Sequence, residues 1–163
     1  MKPASHPDAL RIQAILGARF AVVEFEQNTK TSAEAAAAVG CTVAQIAKSI
    51  MLKTVKGSRP VLVVASGVNR VDEKKVSAVV GEKVKSADAD FVLAHAGVPP
   101  GGVPPVGHKV APVIVLDQDL RQYDVIWAAG GTANAVFRLT WHDLVTLTGG
   151  TPADVAKVQA VLP

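Results

Sequence analysis

The sequence predicts one mixed α/β (α+β) domain covering residues 1–163, with helices flanking a mixed β-sheet. Runs of β-branched and aromatic residues recur along the chain and are punctuated by Gly, Pro, Asn and Asp. Helix-capping patterns lie among these runs without strict strand–helix alternation, which disfavours a doubly wound parallel sheet. A length of 163 residues suits one compact domain with a sizeable core.

Six segments are predicted to be strands because each is a β-branched or aromatic run that ends at turn-forming residues. In chain order they are ARFAVVEF (18–25), IAKSIMLKTV (46–55), PVLVVAS (60–66), APVIVLD (111–117), DVIWAA (124–129) and AVFRLT (135–140). None of the first turns that lead from a strand into a helix contains G-x-G-x-x-G, so no dinucleotide site is expected.

Helices are predicted at four places where a Thr or Asp residue can cap a helical stretch. Three of these helices can end at a glycine. These helices lie between Thr31 and Gly40, between Asp72 and Gly81, between Asp88 and Gly97, and over WHDLVTL (141–147). Thr151-Pro152 predicts a last helix, because proline is favoured in the first turn, and this helix is expected to end near Leu162.

The composition excludes several classes of protein. No apolar run reaches 18 residues, and the N-terminus lacks the apolar stretch of a signal peptide, so no membrane partner is expected. One cysteine, Cys41, excludes an internal disulfide and fits a cytoplasmic location. The four histidines are scattered without an H-x-x-x-H pair, so neither a metal nor another cofactor is expected.

The charge of +3 is unevenly distributed. Nine basic and three acidic residues lie between Lys48 and Lys85, a net +6, whereas the remaining eight basic and eleven acidic residues give −3. A basic segment of this kind is typical either of a protein with a polyanionic partner such as nucleic acid or of an ordinary lysine-rich surface.

Lys48 occupies an unusual position in the predicted strand IAKSIMLK. With period-2 alternation it shares a face with Ile46, Ile50 and Leu52. A lysine in an aliphatic row either extends its ammonium out at the strand end or lies in a cleft that binds an anion. The pattern leaves both interpretations open.

The loop PGGVPPVGHK (100–109) approaches a phosphate-binding loop without matching it. Gly102 and Gly107 have the required spacing, but His108 replaces the lysine and Val110 replaces the Ser or Thr. The glycines permit a ligand to approach the backbone, while the three prolines stiffen the loop and remove N–H donors. Such a loop is better suited to a small carbonyl group and its oxyanion than to a phosphate, although a plain tight connection is an equal alternative.

A second glycine turn, AAGGTANAVF, brings Thr132 and Asn134 together. These side chains either bind a ligand or build an Asx turn between two strands. Ser66 lies outside any G-x-S-x-G motif, which disfavours a serine hydrolase.

Four motifs in this order resemble the YbaK/ProX family, the free-standing editing domains related to the insertion domain of bacterial prolyl-tRNA synthetase. They are QIAKSI (45–50), VDEKKVSAVVGEKVKSAD (71–88), GGVPPVGHK (101–109) and GGTANAVFRLT (130–140). The resemblance spans roughly residues 10–160. It implies a mixed, partly barrel-like sheet flanked by helices, and a hydrolase that removes the wrong amino acid from aminoacyl-tRNA, chiefly tRNA for proline.

The resemblance also implies roles for individual residues. Lys48 would engage the 3′-terminal adenosine and its phosphate, and the G-x-x-x-P loop, here Gly101 to Pro105, would bind the aminoacyl carbonyl and position water with help from the ribose 2′-hydroxyl. The implied catalytic residues are Lys48, Gly101 and Gly102. The implied substrate-binding residues are Phe25, Ser49, Ile50, Val103, Pro105, Gly107, His108, Gly131, Thr132 and Asn134.

The chain departs from the members specific for cysteinyl-tRNA at three positions. They carry GQK where this chain has Gly107-His108-Lys109, a tyrosine where it has Phe25 and an acidic residue where it has Val136. These departures favour alanine, serine, threonine or 2-aminobutyrate over cysteine as the amino acid removed. The alternatives to an enzyme are a catalytically silent module that docks on prolyl-tRNA synthetase or tRNA, and a general nucleic-acid-binding domain.

Overall fold

The computed structural model describes residues 1–27, 29 and 31–158. Within these residues, nine strands form one sheet and five helices flank it. The strands are β1 (Lys2–Pro3), β2 (Val22–Glu24), β3 (Ile46–Thr54), β4 (Pro60–Ser66), β5 (Val84–Ser86), β6 (Val113–Asp117), β7 (Ile126–Ala129), β8 (Ala135–Leu139) and β9 (Thr151–Ala153). The helices are α1 (Pro7–Leu16), α2 (Ser32–Val39), α3 (Glu73–Val80), α4 (Ala89–Ala96) and α5 (Trp141–Thr148).

The sheet is mixed, as the sequence predicts. Its strand order is β1-β2-β8-β7-β3-β4-β6-β9, and β5 pairs with β3 off this path. The pairs β3–β7, β4–β6 and β6–β9 are parallel, and the others are antiparallel. All six predicted strands are present; β4 has the predicted bounds, and the other five are somewhat shorter.

Both faces of the sheet are covered by helices. On one face, buried side chains of α1, α4 and α5 pack against the central strands in the main core cluster. On the other face, Val76 of α3 packs with Leu52, Val61 and Val63. This double burial explains why β4 is buried at every position, since a strand packed on both faces loses the polar alternation of a surface strand. No described helix has the length and apolarity needed to cross a membrane.

Four of the predicted helices are confirmed with their caps. The side chains of Thr31, Asp72, Asp88 and Thr140 each accept a hydrogen bond from a backbone N–H in the first turn of α2, α3, α4 and α5. The sequence did not predict α1. Its N-cap is His6, whose Nδ1 accepts from the N–H of Asp8, and histidine is not among the residues favoured at that position.

The predicted last helix is wrong in the part that the structure describes. Thr151–Ala153 forms the edge strand β9, parallel to β6, and 154–158 is not helical. Pro152 is tolerated there because an edge strand can dispense with one N–H donor. The Thr-Pro signal is local, and pairing with β6 overrides it. The predicted end near Leu162 lies outside the described residues.

The sheet splits along one side of β3, and this split positions the site. β3 pairs with β7 only at Ile46 and Ala47 and with β5 only from Leu52 to Thr54. Between these pairings, residues 48–51 have no strand partner on that side among the described residues. β7 and β5 therefore diverge and leave a cleft over the segment that contains Lys48.

The Glu24 carboxylate ties the N-terminal segment to β2, and we expect it to make stability acid-sensitive. It is 3% exposed and accepts from Ser5 N at 2.6 Å, His6 N at 2.9 Å and Ser5 Oγ at 2.8 Å. The two backbone bonds lower the pKa of Glu24 from 4.5 to about 2. Because the folded-state pKa is the lower one, this stabilisation is present above pH 4.5 and is lost as the pH falls towards 2.

We therefore expect Glu24→Gln to cost about 2 kcal/mol of unfolding free energy at pH 7 and much less at pH 3. Urea unfolding at both pH values measures this difference. Glu26→Gln, which changes an exposed carboxylate two residues away, is the matched control and should change neither value. Equal losses at the two pH values in Glu24→Gln would contradict the assignment.

Candidate functional site

A cavity of about 230 Å³ lies in the cleft where β7 and β5 diverge beside β3. We call it the central cavity. Its walls come from β3, β7, β8, the start of α2, the 100–109 loop and the 130–134 turn. The lining residues are Thr29, Thr31, Ser32, Ala35, Ile46, Ala47, Lys48, Ser49, Gly101, Val103, Trp127, Ala128, Ala129, Thr132, Ala133, Ala135 and Val136.

Lys48 is the only charged side chain among these lining residues. It is half-buried, and its Nζ donates to the carbonyl oxygens of Asn69 and, at 3.4 Å, Gly67. Burial lowers the pKa of Lys48 below its usual value; Asp117 opposes this effect and Arg70 adds to it. The ammonium is held at the cavity wall and does not extend freely into solvent, and the binding of an anion there stays a prediction.

The loop that holds Lys48 is itself anchored by Asp117, at the end of β6. The buried Asp117 carboxylate accepts from Asn69 Nδ2 at 2.8 Å and from Ser66 N at 3.0 Å, and Asn69 Nδ2 also donates to Asp119 at 2.8 Å. These bonds fix the Asn69 carbonyl that accepts from Lys48. The sequence analysis missed Asn69 and Asp117 because their partners lie 48 to 51 residues away along the chain.

Among the described lining residues, Ser49 provides the hydroxyl that is buried and has no partner. Its Oγ is fully shielded from solvent, and no hydrogen-bond acceptor or donor lies within reach among the described residues. A buried polar atom without a partner costs free energy, on the order of 1–3 kcal/mol, and such atoms are uncommon in folded proteins. Ser49 belongs to the cavity lining, and its Oγ lies just behind the surface of the wall.

The glycine loop reaches the cavity through Gly101 and Val103. No described acceptor takes a hydrogen bond from either of their backbone amides. Gly102 is held against the neighbouring turn: its carbonyl accepts from Gly131 N at 3.1 Å, and a Cβ at Gly102 would lie 2.6 Å from the backbone of Thr132. The loop and the turn therefore form one unit, with backbone packed directly on backbone.

The outer part of the loop packs against α1 and away from the cavity. Gly107 lies against Ile12 and Ile15, and Arg11 donates to its carbonyl at 2.7 Å. His108 Nε2 donates to the carbonyl of Pro104 at 2.7 Å. Burial lowers the pKa of His108, and the nearby Arg11 adds to this, while the bond to Pro104 opposes it.

Of the thirteen residues singled out in the sequence, five line the central cavity. They are Lys48, Ser49, Gly101, Val103 and Thr132. Gly102, Gly131 and Asn134 lie outside the lining. Thr132 Oγ1 donates to Asn134 Oδ1 at 2.8 Å, and Asn134 Nδ2 donates to the carbonyl of Phe25 at 2.8 Å, as expected of a structural turn. Binding of a ligand by Thr132 stays a prediction. The others also lie outside the lining; they are Phe25, Ile50, Pro105, Gly107 and His108.

Trp127 and the first turn of α2 also belong to the cavity, and the sequence analysis missed both. Trp127 pairs with Ile46 across the short parallel contact, and both pack on the alanines of α2. A tryptophan in a strand and a helix rich in alanine are also ordinary core features. Only the pairing of β3 with β7 brings these two segments together.

The family follows from a comparison of the whole chain with known families. A family model described as the aminoacyl-tRNA editing domain matches residues 26–147, which include every residue of the cavity lining. The chain belongs to the aminoacyl-tRNA editing domain family. The motif resemblance drawn from the sequence is thereby confirmed, and editing of aminoacyl-tRNA is the activity of the family.

Individual relatives of this editing domain agree with the family. The uncharacterized protein YwhH of Bacillus subtilis (strain 168) is 32% identical over 123 residues, 76% of this chain and 78% of the relative. A crystal structure of a candidate trans-editing enzyme for prolyl tRNA synthetase superposes with a TM-score of 0.89 at 41% identity, covering 95% of this chain and all of the other. A structure from computational epitope-grafting work on scaffold proteins also gives 0.89, at 42% identity over 94% of this chain and all of the other.

Proposed function

We propose that this chain is a single editing domain that acts in trans on mischarged tRNA for proline. It hydrolyses the ester of a small or mid-sized non-cognate amino acid, without a metal ion. The observation that carries this proposal is the central cavity of about 230 Å³, whose lining includes Lys48, Ser49, Gly101 and Val103. Among the described residues, the Ser49 hydroxyl and the amides of Gly101 and Val103 have no hydrogen-bond partner. The candidate trans-editing enzyme for prolyl tRNA synthetase, similar over nearly the whole chain, supports the choice of tRNA.

Lys48 binds the 3′ end of the tRNA in this proposal. Two of the three donors of its ammonium are occupied by the carbonyls of Gly67 and Asn69, which leaves one for a phosphate oxygen or a hydroxyl of the terminal adenosine. Half-burial strengthens such a contact because fewer water molecules screen it. The role of Lys48 is therefore to position the ester.

The glycine loop stabilises charge on the reacting carbonyl. Water attacks the carbonyl carbon and the C–O bond to the ribose 3′-oxygen breaks. One proton of the water passes to that oxygen and the other to solvent, while the amino acid leaves as its carboxylate. The amides of Gly101 and Val103 donate to the oxyanion that forms during the attack. The neighbouring ribose 2′-hydroxyl orients the water. Pro105 and the bond from His108 to Pro104 stiffen the loop from outside the cavity.

The cavity wall selects for small side chains. Six alanines line it, and Ile46, Val103, Trp127 and Val136 limit its width. No carboxylate occurs among the described lining residues, so an α-ammonium group has hydroxyls and backbone carbonyls of the lining as its acceptors. Alanine, serine, threonine, 2-aminobutyrate and cysteine are the candidates. Since one methylene changes binding by only about 1–3 kcal/mol, we expect overlapping activity on several of them.

Hydrolysis of a panel of mischarged tRNAs tests the proposal. The panel is tRNA for proline carrying each of the five candidates, with correctly charged prolyl-tRNA as the control, and each reaction is repeated in EDTA. Hydrolysis of one or more members, with prolyl-tRNA spared and EDTA without effect, is the expected result. If no member is hydrolysed while tRNA still binds, the chain is a binding module and the proposal is wrong.

We expect Ser49→Ala to separate stability from activity. Removing a buried hydroxyl without a partner should leave the free energy of unfolding unchanged or raise it by up to about 1 kcal/mol. Deacylation should fall at least several-fold, because the ligand loses an acceptor or donor in the cavity. Unfolding in urea and single-turnover deacylation measure the two effects.

Ser77→Ala is the matched control for Ser49→Ala. The hydroxyl of Ser77 is fully used, donating to Glu73 O at 2.7 Å and accepting from Val84 N at 3.1 Å, and it lies on α3 away from the cavity. Its loss should lower stability and leave the rate unchanged. Loss of stability without loss of rate in Ser49→Ala would show that Ser49 is only a packing residue.

A further inference from the structure

A second concave surface meets the central cavity at Lys48. We call it the basic groove. It lies on the face of β3 that carries Lys48, between the 67–72 loop and β5, and encloses about 300 Å³. Its lining residues are Lys48, Ile50, Leu52, Arg70, Val71, Glu73, Ser86 and Lys157.

One rim of the groove is built by pairing the end of the described chain with the 70–72 segment. Lys157 N donates to Arg70 O at 2.8 Å, and Asp72 N donates to Val155 O at 2.7 Å. Lys75 holds this rim in place by donating to Ala156 O at 2.7 Å and to Asp154 at 2.9 Å. The backbone therefore places Arg70 and Lys157 next to each other, and their positions do not depend on flexible side-chain contacts.

The groove carries three cations and one anion. Arg70 and Lys157 are exposed, and neither forms an ion pair within the described part of the chain. Glu73 is the single acid in the lining. Arg70 is close enough to Lys48 to lower the pKa of Lys48. Like charges placed side by side destabilise a protein, and an anionic ligand removes that cost.

Of the acids near the groove, Asp117 acts on Lys48 and opposes the lowering of its pKa, whereas Asp72 and Asp154 are engaged with other groups. Asp72 accepts from Lys74 N at the start of α3, and Asp117 accepts from Ser66, Asn69 and Asp119. Asp154 is paired with Lys75. The net charge of the lining therefore remains positive along a path that begins at the central cavity.

We propose that the basic groove binds the phosphodiester backbone of the single-stranded RNA end whose terminal ester lies in the central cavity. This inference rests on the proposed function. Lys48 contacts the terminal nucleotide, and Arg70 and Lys157 bind phosphates of the nucleotides before it. The three cations form a row that begins at the cavity. Such a row matches a chain of phosphates better than one free phosphate, because each cation can neutralise a successive phosphate of the chain.

The other cavity beside the central one fits this ligand less well. It shares Trp127 with the central cavity and contains Arg19 and Arg138. Arg19 is already bonded to Asp143 at 2.7 Å, so Arg138 is the single unpaired cationic side chain of this cavity among the described residues. Removing the cation of this cavity therefore provides a control for removing the cations of the basic groove.

Binding of uncharged tRNA for proline, measured by fluorescence anisotropy over a range of salt concentrations, tests the groove. Arg70→Gln and Lys157→Gln should each weaken binding several-fold and lower the slope of log K against log salt concentration by about 0.7. Lys56→Gln removes an exposed cation of the same basic segment outside the groove, and Arg138→Gln removes the cation of the other cavity; neither should change binding. Circular dichroism checks that the variants are folded.

A second readout separates the groove from the cavity. Hydrolysis of an aminoacyl ester of adenosine, which has no preceding phosphates, should be unchanged in Arg70→Gln and Lys157→Gln. The proposal is overturned if Arg70→Gln and Lys157→Gln both bind tRNA as tightly as the wild type. It is also overturned if Arg138→Gln loses tRNA binding and these two variants do not. If the wild-type chain hydrolyses no ester while the groove variants still lose tRNA binding, the proposed function fails and the groove stands.

Discussion

Replacing Lys48 with methionine is expected to lower the deacylation rate by about 10²- to 10³-fold while the protein remains folded. Methionine keeps an unbranched apolar stem over the face shared with Ile50 and Leu52, and it removes the ammonium. The carbonyls of Gly67 and Asn69 lose their donor, but they lie at a partly exposed site where water can replace it. Single-turnover hydrolysis of the best panel substrate measures the effect.

The pH dependence distinguishes a functional ammonium from a structural one. Burial lowers the pKa of Lys48, so the ammonium loses its proton at a lower pH than an exposed lysine does. After subtraction of spontaneous hydrolysis, the wild-type rate should decline on the alkaline side, and Lys48→Met should show no such decline. Lys56→Met, on the exposed β3–β4 turn, is the matched control. A wild-type rate in Lys48→Met would remove Lys48 from the mechanism.

Replacing Gly102 with alanine should reduce deacylation by at least about 10²-fold. The added Cβ would lie 2.6 to 2.9 Å from three backbone atoms of Thr132, and backbone cannot rotate aside as a flexible side chain can. The loop must therefore move away from the 130–134 turn, which shifts the amides of Gly101 and Val103 from the cavity wall. A displacement of about 1 Å is enough to cost two orders of magnitude in a positioned reaction.

Gly57→Ala is the control for Gly102→Ala. Gly57 has φ +80°, and no neighbouring atom lies within 4 Å of the place that a methyl group would occupy. Alanine there therefore costs about 1 kcal/mol of backbone strain far from the cavity. It should lower the melting temperature and leave the rate unchanged, whereas Gly102→Ala should lose the rate even well below its melting transition. A rate loss in proportion to lost stability in both variants would contradict the role of the loop.

Most of the fold can be predicted from the sequence because its signals are local. Thr31, Asp72, Asp88 and Thr140 cap helices through bonds to N–H groups two or three residues away, so the pattern is visible in a short window. The β-branched runs identify six strands for the same reason. The prediction failed at Thr151-Pro152, where the local signal was outweighed by pairing with β6, more than 30 residues earlier.

The residues of the candidate site also fall into those that the sequence predicts and those that it does not. Lys48 and the Gly101–Pro105 loop were recognised from their motifs, and the cavity contains Lys48, Gly101 and Val103. Phe25 and Ile50 were singled out as substrate-binding residues, yet neither lines the cavity. The direction in which a side chain points depends on which strands pair and where they diverge. A motif does not contain that information.

By itself, then, the sequence determined the class of fold, the family, the absence of an internal disulfide and the chemistry available at Lys48 and the glycine loop. The tertiary structure decided where these groups meet. The divergence of β7 and β5 beside β3 opens the cavity, the contact between Gly102 and Thr132 joins loop to turn, and the pairing of 155–157 with 70–72 forms the basic groove. Each of these features rests on contacts between residues far apart in the chain, whose free energies depend on packing and hydrogen bonding that no local pattern records.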